Sequence, residues 1–361
     1  MLHPPGVRGA RGSRSGATTP SPSWRSCAIS PRYRSSSEMV FGVDSRFMTI
    51  LKLTATTLFL LFGFQNTYGQ SSPAQAVTVP DGPAQTETAA IYITAETKKG
   101  MLIRELKPEN IAITEDKVAA RIEKIRCGKP EPLLVGVLVD VSGSRRIDPL
   151  LGSHYDALAA FLKQLLTADD GAYVVAFDDE PHKLSELMSN GSVISATFEK
   201  LRKYEPHAST ALYDGIQAAA EVTFKGHSGR RILLVLADWD DNSSHINLEQ
   251  AVKAAQKSAT TVYAIVDRQD GYTSIKRGHR QAVYCATRVA EETGGLTYDV
   301  YGAEDFAKVL QAIGGAVVGS CRVEYTTAGN ARAKKGTKLQ IEADSKDITI
   351  LYPRVRFSTA Q

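Results

Sequence analysis

The sequence predicts an α/β fold: a doubly wound, mostly parallel sheet flanked by small β-rich segments at its N-terminal and C-terminal sides. Between residues 133 and 318, apolar runs of strand length alternate with amphipathic stretches of helix length. Strands that alternate with helices in this way form parallel sheets covered on both faces. Before residue 127 and after residue 321, short segments alternate apolar and polar residues, which is the pattern of half-buried strands.

The first 69 residues have the composition of a leader. Residues 1–47 contain seven Arg, no Lys and no apolar periodicity, so we predict no folded structure and interpret them as a mis-assigned upstream extension. Residues 48–69 contain one Lys, a 12-residue apolar stretch and small residues at the end. This is the layout of a secretory signal peptide, too short to cross a bilayer comfortably. We therefore expect a secreted, periplasmic or envelope-associated bacterial protein without a stable transmembrane segment.

Charge excludes one class of partner. The formal net charge is +4, but the first 47 residues account for it, and residues 48–361 carry 36 basic and 37 acidic side chains. No basic patch remains after the leader, so we predict no nucleic-acid binding.

The remaining chain is predicted to have three parts: a β-rich cap (88–127), an α/β domain (133–318) and a C-terminal β segment (321–357). Residues 128–132, "GKPEP", are the linker between the first two. In the α/β domain we predict helices at 148–166, 192–202, 211–224, 247–258, 280–292 and 303–318. After the second strand, "HKLSELM" is expected to return antiparallel beside it.

Two buried strands end in aspartate. "LLVGVLVD" ends at Asp140, which Ser142 and Ser144 follow at alternate positions, and "RRILLVLAD" ends at Asp238. In an open α/β sheet, sites form beyond the carboxyl ends of the strands. Carboxylate, hydroxyl and water oxygens are the ligands that Mg²⁺ requires. These residues therefore either hold a divalent cation, or a serine simply caps the following helix.

Three stretches together resemble a known metal site. "DVSGS", "HASTALYDGI" (207–216) and "LADWDDNSS" (236–244) resemble the metal-ion-dependent adhesion site (MIDAS) of von Willebrand factor type A (VWA) domains. With "LKPENIAITED" and "ITILYPRVRF", the resemblance extends over 88–357 to the VWFA-related family of exported acidobacterial proteins. It implies one Mg²⁺, Mn²⁺ or Ca²⁺ ion, with one position open to a Glu or Asp carboxylate of a partner protein. The implied ligands are Asp140, Ser142, Ser144, Thr210 and Asp238.

The chain departs from that family pattern beside the predicted site. Trp239 stands where a small residue is usual, and Arg145 and Arg146 stand where an apolar residue is common. Trp239 is either an exposed anchor for the partner or a ring folded over the sheet edge. The arginines are either solvated residues at a helix start or groups that face the site and favour acidic partners. We assign Trp239 and Arg145 as candidate partner-binding residues.

Three cysteines follow the leader, and their spacing matches no zinc or redox motif. Cys127 and Cys321 lie at the two junctions of the α/β domain, so we predict a disulfide between them. Cys285 shares a predicted helical face with apolar residues, so we expect it in the core.

These observations predict a non-enzymatic, metal-dependent, adhesion-like binding module. The alternative is a metal-dependent hydrolase or a subunit of an enzyme complex. Hydrolysis needs a positioned base or nucleophile besides the metal ligands, and the three loops offer only His207 and His245 as candidate bases.

Overall fold

A six-stranded sheet and a seven-stranded sheet form the framework of the protein in this computed structural model. The structure describes residues 86–143, 145, 150–189, 191–205, 209–222, 226–267, 276–328 and 336–357. The predicted leader (1–47), the predicted signal peptide (48–69), Ser144 and Arg146 lie outside these residues. No helix within the described ranges is both long and apolar enough to cross a membrane.

The elements follow one another in this order. The strands are β1 (Thr86–Thr97), β2 (Ile111–Glu115), β3 (Val118–Cys127), β4 (Leu133–Asp140), β5 (Gly171–Phe177), β6 (Pro181–Lys183), β7 (Arg230–Ala237), β8 (Thr260–Asp267), β9 (Thr297–Val300), β10 (Cys321–Ala328), β11 (Thr337–Ala343), β12 (Ile348–Leu351) and β13 (Val355–Arg356). The helices are α1 (Leu151–Leu165), α2 (Gly191–Arg202), α3 (Leu212–Gln217), α4 (Leu248–Lys257), α5 (Lys276–Glu292) and α6 (Ala303–Gly319).

The six-stranded sheet has the order β6-β5-β4-β7-β8-β9 and is parallel except for β6, which runs antiparallel to β5. The central strands β4, β5 and β8 are buried along their whole length. One apolar core packs α1, α2 and α6 on one face, and a second packs α3, α4 and α5 on the other. The predicted doubly wound, mostly parallel α/β fold is thus confirmed.

The strand order reverses at β4. The chain passes from β4 to β5 on one side, while the other neighbour of β4 is β7. Val139 pairs with Leu236, so Asp140 at the end of β4 lies beside the end of β7, which Asp238 follows. This is the position at which open α/β sheets bind their ligands.

The cap and the C-terminal segment form one antiparallel sheet. Its order is β12-β1-β10-β3-β2-β11-β13, so strands from the two segments are interleaved within it. The segments predicted as a β-rich cap (88–127) and a C-terminal β segment (321–357) thus contribute strands to the same sheet. The three strands of the N-terminal segment and the four of the C-terminal segment cover a shared apolar core, which a larger sheet does better than a small isolated group of strands.

Of the three cysteines after the leader, two form a disulfide and the third is buried. Cys127 at the end of β3 pairs with Cys321 at the start of β10, and a disulfide joins the two side chains. Cys285 is buried in α5.

The predicted helix 211–224 is shorter than expected. α3 ends at Gln217 and continues as a π-helical segment, Ala218–Val222. The Tyr173 hydroxyl donates to the Ala219 carbonyl oxygen at 2.6 Å, which takes up an acceptor of the regular helical ladder.

Candidate metal centre

The first loop begins with a buried carboxylate. Oδ1 of Asp140 accepts a hydrogen bond from the Ser142 amide at 2.9 Å. Oδ2 is buried and has no hydrogen-bond partner among the described residues. Burial, together with the nearby charge of Asp238, raises the pKa of Asp140 to about 7. A buried carboxylate oxygen without a donor calls for a proton or a cation.

The backbone holds this loop in place. The Val141 amide donates to the Phe177 carbonyl oxygen at 2.9 Å, which ties the loop to the end of β5. The Arg145 amide donates to the Ser142 carbonyl oxygen at 2.9 Å, so the loop turns sharply after Ser142. Ser142 is fully buried beside Asp140. The structure therefore brings two of the three predicted first-loop ligands together, and Ser144 lies outside the described residues.

Hydrogen bonds between Thr210 and residues Asn242 and Ser243 tie the second loop to the third. The Thr210 amide donates to Oδ1 of Asn242 at 2.9 Å. The Thr210 carbonyl oxygen accepts from the amides of Asn242 and Ser243 at 3.0 and 3.1 Å. The next amide, of Ala211, donates to the Asp178 carbonyl oxygen at 2.5 Å, just beyond β5. These contacts place Thr210, which is buried, at the same sheet edge as Asp140.

The third loop contains the second predicted carboxylate. Asp238 is half-buried, and its Oδ1 accepts from the Asp240 amide at 3.0 Å. Between them Trp239 has φ 64°, in the left-handed region, so the chain turns directly after Asp238. The charge of Asp238 is close enough to raise the pKa of Asp140. Asp140, Ser142, Thr210 and Asp238 thus lie at one edge of the sheet, and their carboxylate and hydroxyl oxygens are donors that suit a hard divalent cation.

Side chains that the sequence reasoning missed clamp the third loop to α3. Oγ of Ser244 accepts from the amides of Tyr213 and Asp214 at 3.0 and 3.2 Å. The Asp214 carboxylate in turn accepts from the amides of His245 and Ile246 at 2.9 and 3.1 Å. The signal was present in "DDNSS", because Ser accepts hydrogen bonds from helix N-terminal amides, and in the Asp of "ALYDGI", because Asp side chains accept hydrogen bonds from backbone amides of loops.

The prediction of Trp239 as an exposed partner anchor is wrong. Its side chain is 2% exposed and packs in the core formed with α3, α4 and α5. Nε1 donates to the Ile265 carbonyl oxygen at 3.2 Å. The indole therefore covers the end of the sheet, because burial of a large ring is favourable once its N–H group has an acceptor.

The assignment of Arg145 as a partner-binding or solvated residue is also wrong. Its side chain is fully buried, and its guanidinium pairs with the carboxylate of Asp267 at the end of β8. Nδ1 of His154 lies 3.0 Å from the same carboxylate. Burial alone would raise the pKa of Asp267, but the His154 hydrogen bond and the Arg145 charge lower it below its usual value. "TTVYAIVD" repeats the strand-then-aspartate pattern of the two ligand loops, and this was the signal for Asp267.

A second group of potential ligands follows β5. The side chains of Asp178, Asp179 and His182 each place one ligand atom within 4.8 Å of the others. Asp178 is buried, with His182 Nε2 at 2.8 Å and the Tyr204 hydroxyl at 3.2 Å. The cluster adds negative charge to the edge that carries Asp140.

The sequence profile of the von Willebrand factor type A domain matches residues 135–243. Similar solved structures include a von Willebrand factor type A protein from Catenulispora acidiphila, at 12% identity and TM-score 0.44 over 76% of this chain and 74% of that chain. Another is proximal thread matrix protein 1 from the mussel byssus with a zinc-occupied MIDAS motif, at 16% identity and TM-score 0.44 over 57% of this chain and 50% of that chain. A third is the vWF domain of the type V pili tip protein Mfa5 from Porphyromonas gingivalis, at 12% identity and TM-score 0.40 over 52% of this chain and 96% of that chain. None of the curated protein sequences is detectably similar to the chain.

The profile match extends from within β4 to the third loop, so it contains all five predicted ligand positions. The strand order and the convergence of three loops at the switch point agree with the match. Residues 135–243 of this chain are therefore similar in sequence to the von Willebrand factor type A domain.

Proposed function

We propose that this protein is an exported, non-enzymatic binding module that uses a divalent cation to capture an acidic side chain of a partner protein. The observation that carries the proposal is the buried Asp140 carboxylate, whose Oδ2 has no hydrogen-bond partner in the described structure. A cation would satisfy that oxygen and offset the repulsion between Asp140 and Asp238.

The residues that would hold the cation are Asp140, Ser142, Ser144, Thr210 and Asp238. Two carboxylates formally neutralise a divalent ion, and the hydroxyls add ligands without adding charge. The ion then keeps enough attraction for one more carboxylate, which the partner would supply. Oxygen donors of this kind favour Mg²⁺, with Mn²⁺ and Ca²⁺ as the alternatives.

Export has two supports of its own. Residues 48–69 have the layout of a signal peptide. The Cys127–Cys321 disulfide joins strands within the folded protein, and such cross-links persist in oxidising compartments outside the cytosol.

The test is calorimetric titration of the mature chain with Mg²⁺ and Mn²⁺. Asp140→Ala should abolish binding without unfolding the protein. Asp347→Ala is the matched control, because Asp347 is an exposed carboxylate in the turn before β12 of the antiparallel sheet, and it should bind like the wild type. Capture of envelope proteins with and without chelator then tests the partner. Equal capture by wild type and Asp140→Ala, or capture unchanged by chelator, would refute the proposal.

A metal-dependent hydrolase is the competing function, and one observation favours it. His182 lies in the Asp178–Asp179–His182 cluster at the same edge as the proposed cation, so an imidazole is available near the site. Mn²⁺-dependent cleavage of a nitrophenyl ester or phosphate that His182→Gln abolishes would support the hydrolase. Absence of turnover together with metal-dependent capture would support the binding module.

A further inference from the structure

A third carboxylate, that of Asp267, lies at the end of β8, the strand next to the one that Asp238 follows. Ala237 at the end of β7 pairs with Val266 of β8, so Asp238 and Asp267 occupy the next level on neighbouring strands. Residues two apart along a strand share a face of the sheet. Asp238 therefore lies on the same face as Leu236, and Asp267 lies on the same face as Ile265. Adjacent strands are about 4.8 Å apart. Asp267 is thus placed to become an additional acidic ligand or a strong local charge.

The Asp267 carboxylate is instead paired with the guanidinium of Arg145. The loop that carries the proposed ligands Asp140 and Ser142 also delivers Arg145, whose buried guanidinium pairs with Asp267 across the end of β7. Nδ1 of His154, from α1, lies 3.0 Å from the same carboxylate. The His154 ring stacks against Phe306 of α6, with the ring centroids 4.3 Å apart. Asp267 is therefore held on the side of α1 and α6, behind the loop.

Stability alone does not account for a buried ion pair at this position. Desolvation of two charges offsets most of their attraction, and apolar residues of similar volume stabilise a core equally well or better. The feature that an apolar pair could not reproduce is the positive charge beside the proposed cation site. Arg145 also acts on Asp140, whose carboxylate it favours in the ionised form.

We propose that Arg145 is a positioning residue that withholds Asp267 from the metal, and so keeps the cation receptive to a partner's carboxylate. This inference rests on the proposed cation-binding function. With Asp267 engaged by Arg145, the carboxylate ligands of the ion would be Asp140 and Asp238. With Asp267 released, a third would leave the site with net negative charge, which would bind the cation more tightly and repel the partner's acidic group.

The experiment measures the dissociation constants of Mg²⁺ and Mn²⁺ by calorimetry on the mature chain and its variants. Arg145→Met should bind the metal about tenfold more tightly, because it frees a negative charge, and Asp267→Asn should bind about tenfold more weakly, because it leaves a positive one. The double variant should fall within about threefold of the wild type, as should Arg145→Lys, which keeps the charge. Arg126→Met is the control, since Arg126 pairs with Glu324 on the other sheet, and it should leave metal affinity unchanged.

The outcomes separate this inference from the function on which it rests. Thermal melting in the presence of chelator identifies variants that do not fold. If Arg145→Met does not fold, the comparison of Asp267→Asn with Arg145→Lys tests the inference in its place. Opposite shifts in the two single variants support the inference. Weaker binding in both, as expected of a purely structural pair, or unchanged binding in both, overturns it while leaving the proposed function intact. A wild type that binds neither ion overturns both.

Discussion

Removal of the disulfide should cost a large part of the protein's stability. We expect the double variant Cys127→Ala/Cys321→Ala to lose about 5 kcal/mol of unfolding free energy. The two cysteines are 194 residues apart in sequence, and closing a loop of that length removes much of the conformational entropy of the unfolded chain. Single domains have unfolding free energies of about 5–15 kcal/mol, so a loss of this size should shift the unfolding midpoint by a large and directly measurable amount.

The measurement is urea unfolding followed by tryptophan fluorescence. Trp239 is the only tryptophan after residue 47, and its buried indole will report on unfolding of the α/β domain. Cys285→Ala is the matched control, because it removes a buried thiol without removing a cross-link, and it should cost less than about 1.5 kcal/mol. A double variant that unfolds at the same midpoint as this control, or a wild-type midpoint that reductant leaves unchanged, would show that the disulfide does not stabilise the protein.

Three further predictions concern side chains. In chelator, Asp140→Asn should melt at a higher temperature than the wild type, and more so at pH 8 than at pH 5. Burial raises the pKa of Asp140 to about 7, so the wild type loses stability as pH rises towards and through that value; an equal difference at both pH values would contradict this. Glu115→Gln should lower the free energy of unfolding at pH 7, and it should make that free energy fall less steeply as the pH is lowered. Burial would raise the pKa of Glu115, but hydrogen bonds from Arg356, Tyr325 and Thr327 lower it, so its contribution is present above about pH 4.3 and lost as pH falls through its folded pKa; parallel acid-denaturation curves would count against it. Trp239→Ala should cost about 3–5 kcal/mol by circular-dichroism unfolding, whereas an unchanged midpoint would mean that the ring adds nothing to the core.

Much of the α/β domain was predictable because its strands are buried on both faces. Such strands appear in the sequence as continuous Val/Leu runs, and β4 and β7 are of this kind. Their polar ends then identify the edge where a site forms. Asp140 and Asp238 could therefore be placed together before their contacts were known.

The environment of individual side chains near the site was not predictable in the same way. Trp239 and Arg145 both look like surface residues in sequence, and both are buried. Each depends on a partner far along the chain: the Ile265 carbonyl oxygen for the indole, and the Asp267 carboxylate for the guanidinium. Local pattern does not encode which distant group will satisfy a polar atom.

The shared antiparallel sheet was missed for a related reason. Strands from 86–127 and 321–357 have ordinary alternating patterns, which determine the buried face but not the neighbour in the sheet. The pairing of β3 with β10 brings together residues almost 200 positions apart. Alternation alone carries no information about pairing over that distance.

The Cys127–Cys321 cross-link also determines how mechanical load would pass through the molecule. Tension between β1 and the strands after β10 can cross from Cys127 to Cys321 through a covalent bond, so the intervening residues 128–320 need not carry it. The cation site belongs to that shielded part of the chain. While the cross-link is intact, pulling on the antiparallel sheet would not by itself stretch the α/β domain, and its three binding loops would keep their geometry under strain that a linear string of domains would transmit to them.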